Sequence, residues 1–374
     1  KDAGITGKIG RWLHEFLSDR RQFIVVDGKY GEISIVISGV PQGTVLGPVL
    51  FLIMMTTIGD NLKVFKVSSF ADDTKVVHAI RSLEDAQDMQ VDLNSIYEWA
   101  TKSNMFFNGA KFQLLRYGDN ASLKDETNYT NCTGSIITET TVARDLGVMM
   151  ESDGSFTTHI NNVVQSASRM SGWVLRTFYT RKRTPMLQLY KSLILIRLDY
   201  YSPLWNPSGS AHLCNRLEGV QRAFTRRIEG MSGLNYWERL NALNLYSLQR
   251  RRERYMVLYI FKILHGMVPN CGIVFGPHGR AGIRAVLPRI DPALPSKIKT
   301  LRYNSFSTMA PRLYNILPRE MRVMYEGEDP LGQFKRELDG LLSTVPDQPT
   351  IQGLTRAAES NSLLHQVVQQ RRLL

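Results

Sequence analysis

Hydrophobic positions in the first 150 residues switch repeatedly between helical and strand spacing. Residues 1 to 17 recur at three- and four-residue intervals, which predicts a helix with Ile5, Ile9, Trp12, Leu13 and Leu17 on one side. The further predicted elements are strands at 23–26 and 33–37 around a turn at 28–31, a helix over 46–57, a hairpin formed by 63–69 and 74–80, a helix over 83–103, and strands at 111–117, 135–138 and 145–150. This mixture predicts an α+β fold.

From residue 155 the pattern is helical. One helix carries six apolar residues on a single face: Phe156, Ile160, Val163, Val164, Ala167 and Met170. Thr184–Pro185 predicts an N-cap followed by the first helical residue, and Ser210 predicts the start of a third helix. Residues 247–265 predict a fourth helix that Gly266 ends.

The last hundred residues have weak periodicity. Residues 267–345 are rich in Pro, Gly and Arg, and they predict a loop over 276–282 and one short helix over 334–342. Beyond Pro346 the chain is polar, and a loose tail is expected. No internal repeat is visible.

Composition excludes several classes of protein. A chain of 374 residues is long enough for two or three domains. No apolar run reaches about 18 residues, so no transmembrane helix is expected. The three cysteines, Cys132, Cys214 and Cys271, are widely spaced, form no zinc pattern and indicate a reducing compartment.

Positive charge is concentrated in one part of the chain. The net charge is +12, and residues 155–265 contain 17 Lys and Arg against five Asp and Glu. Such a surplus is typical of a nucleic-acid-binding surface, with an anionic membrane surface or a solvated basic face as alternatives. Arg250, Arg251, Arg252 and Arg254 cover the first two turns of a predicted helix, where the helix dipole disfavours cations. We therefore interpret them as phosphate contacts, and a solvated surface is the alternative.

Asp72 and Asp73 are two adjacent acids that follow an apolar run. Side chains alternate faces along a strand, so adjacent acids can reach one point only at a turn. Paired carboxylates supply the hard oxygen ligands that Mg²⁺ takes together with substrate phosphates. Solvated turn acids are a common alternative for such a pair.

A second motif, Ser38-Gly-Val-Pro-Gln-Gly-Thr-Val-Leu-Gly-Pro-Val-Leu-Phe51, lies about thirty residues upstream. Gly43 lets the backbone approach a ligand closely, and Gln42 offers an amide donor and acceptor beside it. Pro48 suits the start of a helix because its missing N–H would be unpaired there. Taken alone, the segment could equally be a structural joint between a strand and a helix.

The two motifs at this spacing resemble the reverse transcriptases of non-LTR retrotransposons, the LINE-type, jockey-like elements. The resemblance implies a polymerase palm in which Asp72 and Asp73 are catalytic acids that bind Mg²⁺ (or Mn²⁺). It places Pro41, Gln42, Gly43 and Phe70 against the template and the incoming nucleotide. Phe70 stands where tyrosine is commoner in the family.

The resemblance extends past the acidic pair. Residues 99–108 and 111–118 are similar to the family's next palm motif, which implies that Lys111 donates a proton to pyrophosphate; a surface lysine is the alternative. Residues 145–148 resemble the strand before the thumb, which implies that Leu146 and Gly147 support the primer end. Further segments resemble the thumb of invertebrate members and the ends of such reading frames: 173–178, 200–207, 217–222, 236–240, 334–335 and 346–349.

One part of the family pattern has no match. The family's third metal-binding aspartate lies on an earlier palm strand, whereas Asp2 lies in a glycine-containing turn and is not given that role. The sequence is therefore expected to be a fragment without that strand. The predicted domains are an incomplete palm with a finger remnant over 1–150, a basic helical thumb over 151–266, a C-terminal extension over 267–345 and a polar tail over 346–374.

The resemblance implies RNA-directed DNA polymerase activity, with an RNA template, a DNA primer and a deoxynucleoside triphosphate as partners. The fragment alone is expected to be inactive, and a catalytically inactive nucleic-acid-binding remnant is the alternative function. No membrane partner is expected, and oligomeric state is left open. The expected location is intracellular, in the nucleus at the site of action.

Overall fold

A computed structural model of the chain describes residues 4–60, 62–63, 66–118, 120–207, 209–276, 282–348 and 361–367. Its contacts divide the chain into two compact units, Lys1–Leu146 and Gly147–Leu374. Helices predominate, and the strands form small two-stranded antiparallel sheets. This mixture confirms the α+β class predicted from the hydrophobic pattern.

The first unit alternates short strands with helices. Its elements are α1 Gly7–Leu17, β1 Arg21–Gln22, β2 Val25–Val26, β3 Lys29–Tyr30, β4 Ser34–Ile35, α2 Gly47–Met55, a 3₁₀ turn Thr56–Gly59, β5 Lys66–Phe70, β6 Asp73–Val77, α3 Leu83–Lys102, a 3₁₀ turn Gly109–Lys111, α4 Ala121–Glu126 and β7 Val142–Asp145. Gly4 has a φ of +72°, a left-handed conformation that does not continue a helix, so the helix predicted from residue 1 begins at Gly7.

Helix α3 organises the core of this unit. Ser82 and Asp85 form a capping box at its start, and the helix predicted over 83–103 is confirmed. Its buried Leu93 and Ile96 belong to the same cluster as Met55 and Ile58 from the end of α2 and the turn after it. Val67 and Val76, from the inner face of β5 and β6, pack against that cluster. One helix thus supports both α2 and the β5–β6 hairpin.

The segment from β1 to β4 is exposed along its length. Arg21 pairs with Ile35, and Val25 pairs with Tyr30, so the predicted turn near residue 28 is confirmed while the strands are shorter than predicted. Large apolar side chains of this segment face solvent; Ile37, just beyond β4, is 81% exposed.

Two predicted strands of the first unit are wrong. Within 111–117, Leu114 makes a single bridge to Glu139, and residues 135–138 contribute only a bridge between Ile136 and Thr130. The aromatic ring of Phe112 instead packs edge-on against Tyr97 of α3, at a centroid distance of 5.8 Å. The apolar residues of this segment therefore pack against α3 and do not form a strand ladder.

The second unit is almost entirely helical. Its elements are β8 Val148–Glu151, α5 Thr157–Thr177, α6 Arg183–Leu189, a π-helical stretch Tyr190–Leu195, α7 Ile196–Asp199, α8 Ala211–Thr225, α9 Tyr236–Leu243, α10 Leu248–Leu264, α11 Ser296–Asn304, α12 Phe306–Asn315, a 3₁₀ turn Arg319–Met321 and α13 Pro330–Thr344. Two apolar clusters fill it: one joins α5 to α9, and the other joins α10, α12 and α13. The predicted apolar face of α5 is confirmed in the first cluster.

Caps set several helix boundaries. The Ser210 hydroxyl accepts a backbone N–H from the first turn of α8, as predicted. The Ser247 hydroxyl does the same at α10. Helix α6 begins at Arg183 with Lys182 as its N-cap, so the predicted Thr184–Pro185 start is displaced. Pro185 still lies in the first turn, where a missing N–H costs nothing.

The weak periodicity of residues 267–345 concealed two helices, α11 and α12. Pro311 lies inside α12, against the usual preference for helix interiors. The short helix predicted over 334–342 is α13, which begins earlier because Asp329 caps it through the Gly332 N–H. Predictions for residues 1–3, 64–65, 277–281, 349–360 and 368–374 lie outside the described residues. Within the described ranges, the helices lack the combined length and apolar character needed to cross a bilayer.

Candidate active site and nucleic-acid surface

Asp72 and Asp73 lie at the tip of the β5–β6 hairpin. The strands are antiparallel, and Phe70 pairs with Asp73, so Ala71 and Asp72 form a two-residue turn. Ala71 has a φ of +52°, the left-handed conformation that such tight turns require. Both acids are exposed. The predicted turn between antiparallel strands is confirmed.

The charged side chains of the hairpin lie on its outer face. Alternation along β6 puts Asp73 and Lys75 on one face, opposite the inner Val76. Lys75 donates to the carboxylate of Asp145 at the end of β7, and this ion pair occupies the ammonium group. Phe70, at the same outer face, is 69% exposed. The lysine two residues from Asp73 is therefore already paired with another acid.

The Pro41-Gln42-Gly43 segment enters α2 through a compact turn. The Thr44 hydroxyl donates to the Pro41 carbonyl at 2.8 Å and accepts from the Gly47 N–H at 3.1 Å. A Cβ on Gly47 would lie 2.6 Å from the Pro41 carbonyl oxygen, so only glycine fits there. Gln42 and Gly43 are exposed, and Gly43 has a φ of +78°. The side chain of Gln42 is therefore free to contact a ligand, and its proximity to Asp72 stays a prediction.

Two residues that hold the backbone near these segments in place were not predicted from the sequence. Arg20 donates to the carbonyls of Leu17, at 3.0 Å, and Gly39, at 2.5 Å, and so ties the end of α1 to the start of the glycine-rich segment. The buried carboxylate of Asp92 accepts the Lys63 N–H and fixes the chain that leads into β5. An arginine just after a helix end is a recognisable signal for carbonyl capping, whereas an acid within an amphipathic helix is not.

The remaining predicted polymerase residues lie on turns. Lys111 ends an exposed 3₁₀ turn, and not a strand start as predicted. Leu146 and Gly147 have φ values of +45° and +87° and form the turn after β7. The structure thus describes their backbone, and their roles stay predictions.

The arginine cluster at the start of α10 is not a phosphate-binding surface. Arg250 and Arg252 are buried, with 0% and 1% exposure. Arg250 donates to the carbonyls of Val345 and Pro346, at 3.2 and 2.8 Å. Arg252 donates to Asn206 at 2.9 Å. A guanidinium already bonded inside the protein cannot reach a phosphate, so the interpretation from sequence is wrong for this pair.

The other two arginines of the cluster are also paired. Arg251 forms an ion pair with Asp199, and Arg254 binds Asp339 through two bonds of 2.6 and 2.7 Å. Both side chains are mostly buried. All four arginines therefore join α10 to other parts of the second unit, which also excludes the alternative of a solvated face.

A buried polar network lies beside this cluster. Glu218 accepts from the Tyr236 hydroxyl and from the Gln249 N–H, and Gln221 links Tyr236 to Tyr190. Burial raises the pKa of Glu218, although the nearby Arg252 opposes that rise. The network is internally satisfied and has a structural role.

The acidic turn fits part of a divalent-metal shell. Mg²⁺ is usually held by one or two carboxylates together with substrate phosphates and water, and Asp72 and Asp73 supply two such carboxylates. Over the ranges that the structure describes, no group of three His, Cys, Asp or Glu residues is close enough to hold a metal ion. The donor set suits a shared site that substrate completes.

Comparisons with known proteins place the chain near a family of polymerases. The model of the reverse transcriptase (RNA-dependent DNA polymerase) family matches residues 3–148. The chain is 26% identical, over 230 residues, to the RNA-directed DNA polymerase from mobile element jockey of Drosophila melanogaster, covering 58% of this chain and 25% of that protein. It is 25% identical to the jockey protein of Drosophila funebris, with the same coverage, and 23% identical to the probable RNA-directed DNA polymerase from transposon X-element of Drosophila melanogaster. The chain thus spans about a quarter of the length of these relatives.

Proposed function

We propose that this chain, which belongs to the reverse transcriptase family of non-LTR retrotransposons through residues 3–148, contributes palm and thumb to an RNA-directed DNA polymerase. The observation that carries the proposal is the hairpin tip at Asp72 and Asp73, inside the matched region. Its substrates would be an RNA template, a DNA primer and deoxynucleoside triphosphates. Its place of action would be the nucleus.

The residues of the first unit have separate roles in this proposal. Mg²⁺ or Mn²⁺, bound by Asp72 and Asp73, would supply charge stabilisation for the attacking 3′-hydroxyl and the leaving pyrophosphate. Gln42 and Gly43, with Pro41 and Phe70, would shape the site for template and nucleotide. Leu146 and Gly147 would support the primer end. Lys111, which is exposed, would donate a proton to pyrophosphate.

Metal binding tests the role of the acidic turn directly. Electron paramagnetic resonance measures free Mn²⁺ during titration of the chain in the presence of a deoxynucleoside triphosphate. We expect Asp72→Asn/Asp73→Asn to weaken Mn²⁺ binding by at least about tenfold, because both hard oxygen donors are lost. The matched control is Glu84→Gln/Asp88→Asn, which removes two exposed acids from α3. Equal Mn²⁺ binding by the acidic-turn variant and the unmodified chain would contradict the proposed site.

Primer extension tests whether residues 1–374 are sufficient for synthesis. We expect little or no DNA synthesis on a primed RNA template, because two carboxylates hold less of the metal charge than the family's three. Robust extension that Asp72→Asn abolishes would show that a further aspartate-bearing strand is dispensable.

The second candidate function is nucleic-acid binding without catalysis. It is favoured by the shortage of acids, since the described residues bring together two candidate metal ligands at the turn and not three. Binding of a primed RNA template with no dependence on Asp72 or Asp73, together with no Mn²⁺ site, would support this candidate.

A further inference from the structure

We propose that an exposed patch on the second unit, formed by Tyr179, Lys182, Arg183, Arg226 and Arg227, binds single-stranded RNA through one stacked base and the phosphates beside it. This site is separate from the acidic turn and does not depend on polymerase chemistry. We call it the Tyr179 patch.

The fold brings two basic segments together to form the patch. Lys182 and Arg183 are the N-cap and the first residue of α6, and Arg226 and Arg227 lie just after α8. The Glu229 N–H donates to the Arg181 carbonyl at 2.8 Å, which joins the two segments through their backbones. More than forty residues separate them in sequence, so the charge density arises from the fold.

Arg181 holds this connection in place and is not part of the binding surface. Its guanidinium donates to the carbonyls of Leu175, at 2.7 Å, and Thr180, at 2.9 Å, and it also bonds to Phe178. It thus caps the carboxyl end of α5, where a cation is favoured by the helix dipole. The neighbouring residues project from a fixed backbone.

The four cations of the patch are available to a ligand. All four side chains are exposed, and within the described residues none of them forms an ion pair. Glu229 is the exposed acid of the two joined segments, so cations outnumber it. Burial lowers the pKa of the nearby Arg239, and Arg226 and Arg222 lower it further, as a region of positive potential requires.

Tyr179 gives the patch its preference for single strands. Its side chain is 94% exposed, whereas the adjacent Phe178 packs against the core of the unit. An aromatic ring beside cations is the usual platform for unpaired bases, because a base stacks on the ring while its phosphates meet the charges. Bases inside a duplex are already stacked and cannot use such a ring. A single exposed aromatic without an amphipathic helix also does not suit a membrane surface.

A groove lies beside α5 and α8, the helices that lead into the patch. It has a volume of about 300 Å³ between α5 and α8, and Arg216 forms part of its wall. Small residues widen it: Ser168, Ser171, Gly172, Gly219 and Ala223. Leu175 lines it too, and Leu175 and Ala223 each lie a few residues before a segment of the patch. The groove thus reaches the last turn of each helix from which a segment of the patch follows.

Fluorescence anisotropy with a labelled uridine oligomer of about 12 nucleotides tests the site, since single-strand sites cover roughly 4–16 nucleotides. The full chain is titrated in EDTA, so that failure of the metal site leaves the measurement unaffected. We expect Tyr179→Ala to weaken binding about tenfold and Tyr179→Phe to stay within about twofold, because the ring is retained. We expect Arg226→Gln/Arg227→Gln to make the salt slope shallower by up to about 1.4.

Controls separate this site from general positive charge. Lys297→Gln/Arg302→Gln removes two exposed cations from α11 and should leave the salt slope unchanged. A thymidine oligomer that also requires Tyr179 would support the site as a single-strand site for RNA and DNA alike. Tighter binding to duplex RNA with no effect of Tyr179→Ala would overturn the proposal. So would loss of binding to phosphatidylserine vesicles by these variants with RNA binding unchanged.

Discussion

We expect the ion pair between Lys75 and Asp145 to govern how much negative charge the acidic turn presents. Lys75 shares the outer face of the hairpin with Asp73 and is two residues away along β6. Without Asp145 its flexible ammonium could bend toward Asp73 and compete with a metal ion for the carboxylate. We therefore expect Asp145 to act on the proposed metal site without contacting it.

We expect Asp145→Asn to weaken Mn²⁺ binding by about two- to fivefold, the range of a solvent-screened ion pair. The measurement is the same Mn²⁺ titration used for the acidic turn. Adding Lys75→Gln to this variant should restore binding, because the competing cation is removed. Failure of that second change to restore binding would assign Asp145 a different role.

At the scale of single residues, the sequence identifies candidate site residues but not the groups that they contact in the fold. The two acids and the glycine-rich segment could be found because their spacing and turn residues are local. The partner of Lys75 lies 70 residues along the chain, and Arg20 and Asp92 act on backbone groups far from them in sequence. No local pattern encodes such contacts.

Helix α10 shows why a row of charges is ambiguous at the scale of one element. Its start is basic in sequence, yet Arg250 and Arg252 lie in the interior. Their partners come from residue 206 and from the chain after α13, so the burial follows from tertiary contacts. The helix itself was predicted correctly over 247–265 with Gly266 after its end, whereas the surroundings of its arginines were not.

We expect Arg250→Gln to lower the free energy of unfolding of the second unit by roughly 2–4 kcal/mol, because a buried guanidinium and its two carbonyl partners lose their bonds. Urea denaturation followed by circular dichroism measures the change. Arg336→Gln is the control: its side chain is 73% exposed, and its loss should cost less than about 0.5 kcal/mol. A normal stability for Arg250→Gln, with a shallower salt slope for RNA binding, would restore the phosphate-contact interpretation.

Across the whole molecule the two units differ in how much apolar surface they bury. Two large clusters fill the second unit, whereas the first unit has one smaller cluster around α3 and leaves its β1–β4 segment in solvent. Stability follows burial, so local opening should be easier in the first unit. The α+β class was predictable because it depends on periodicity, whereas this unequal burial was not, since it depends on which apolar faces find partners.

Limited proteolysis followed by mass spectrometry tests the difference between the units. We expect chymotrypsin to cleave first within residues 20–50, where aromatic and apolar side chains are exposed on short strands. A fragment that begins near Gly147 should persist longest. Cleavage of both units at the same rate would contradict this order.

The exposed β1–β4 segment also affects whether copies of the chain associate in solution. Ile24 and Ile35 are each 74% exposed, and contiguous apolar surface of this kind attracts other molecules. The net charge of +12 opposes that attraction through repulsion, which salt screens over about 10 Å at 0.1 M. Added salt should therefore favour association of the chains over their dispersion. The ionic strength of the buffer would then determine the highest concentration at which the chain remains in solution.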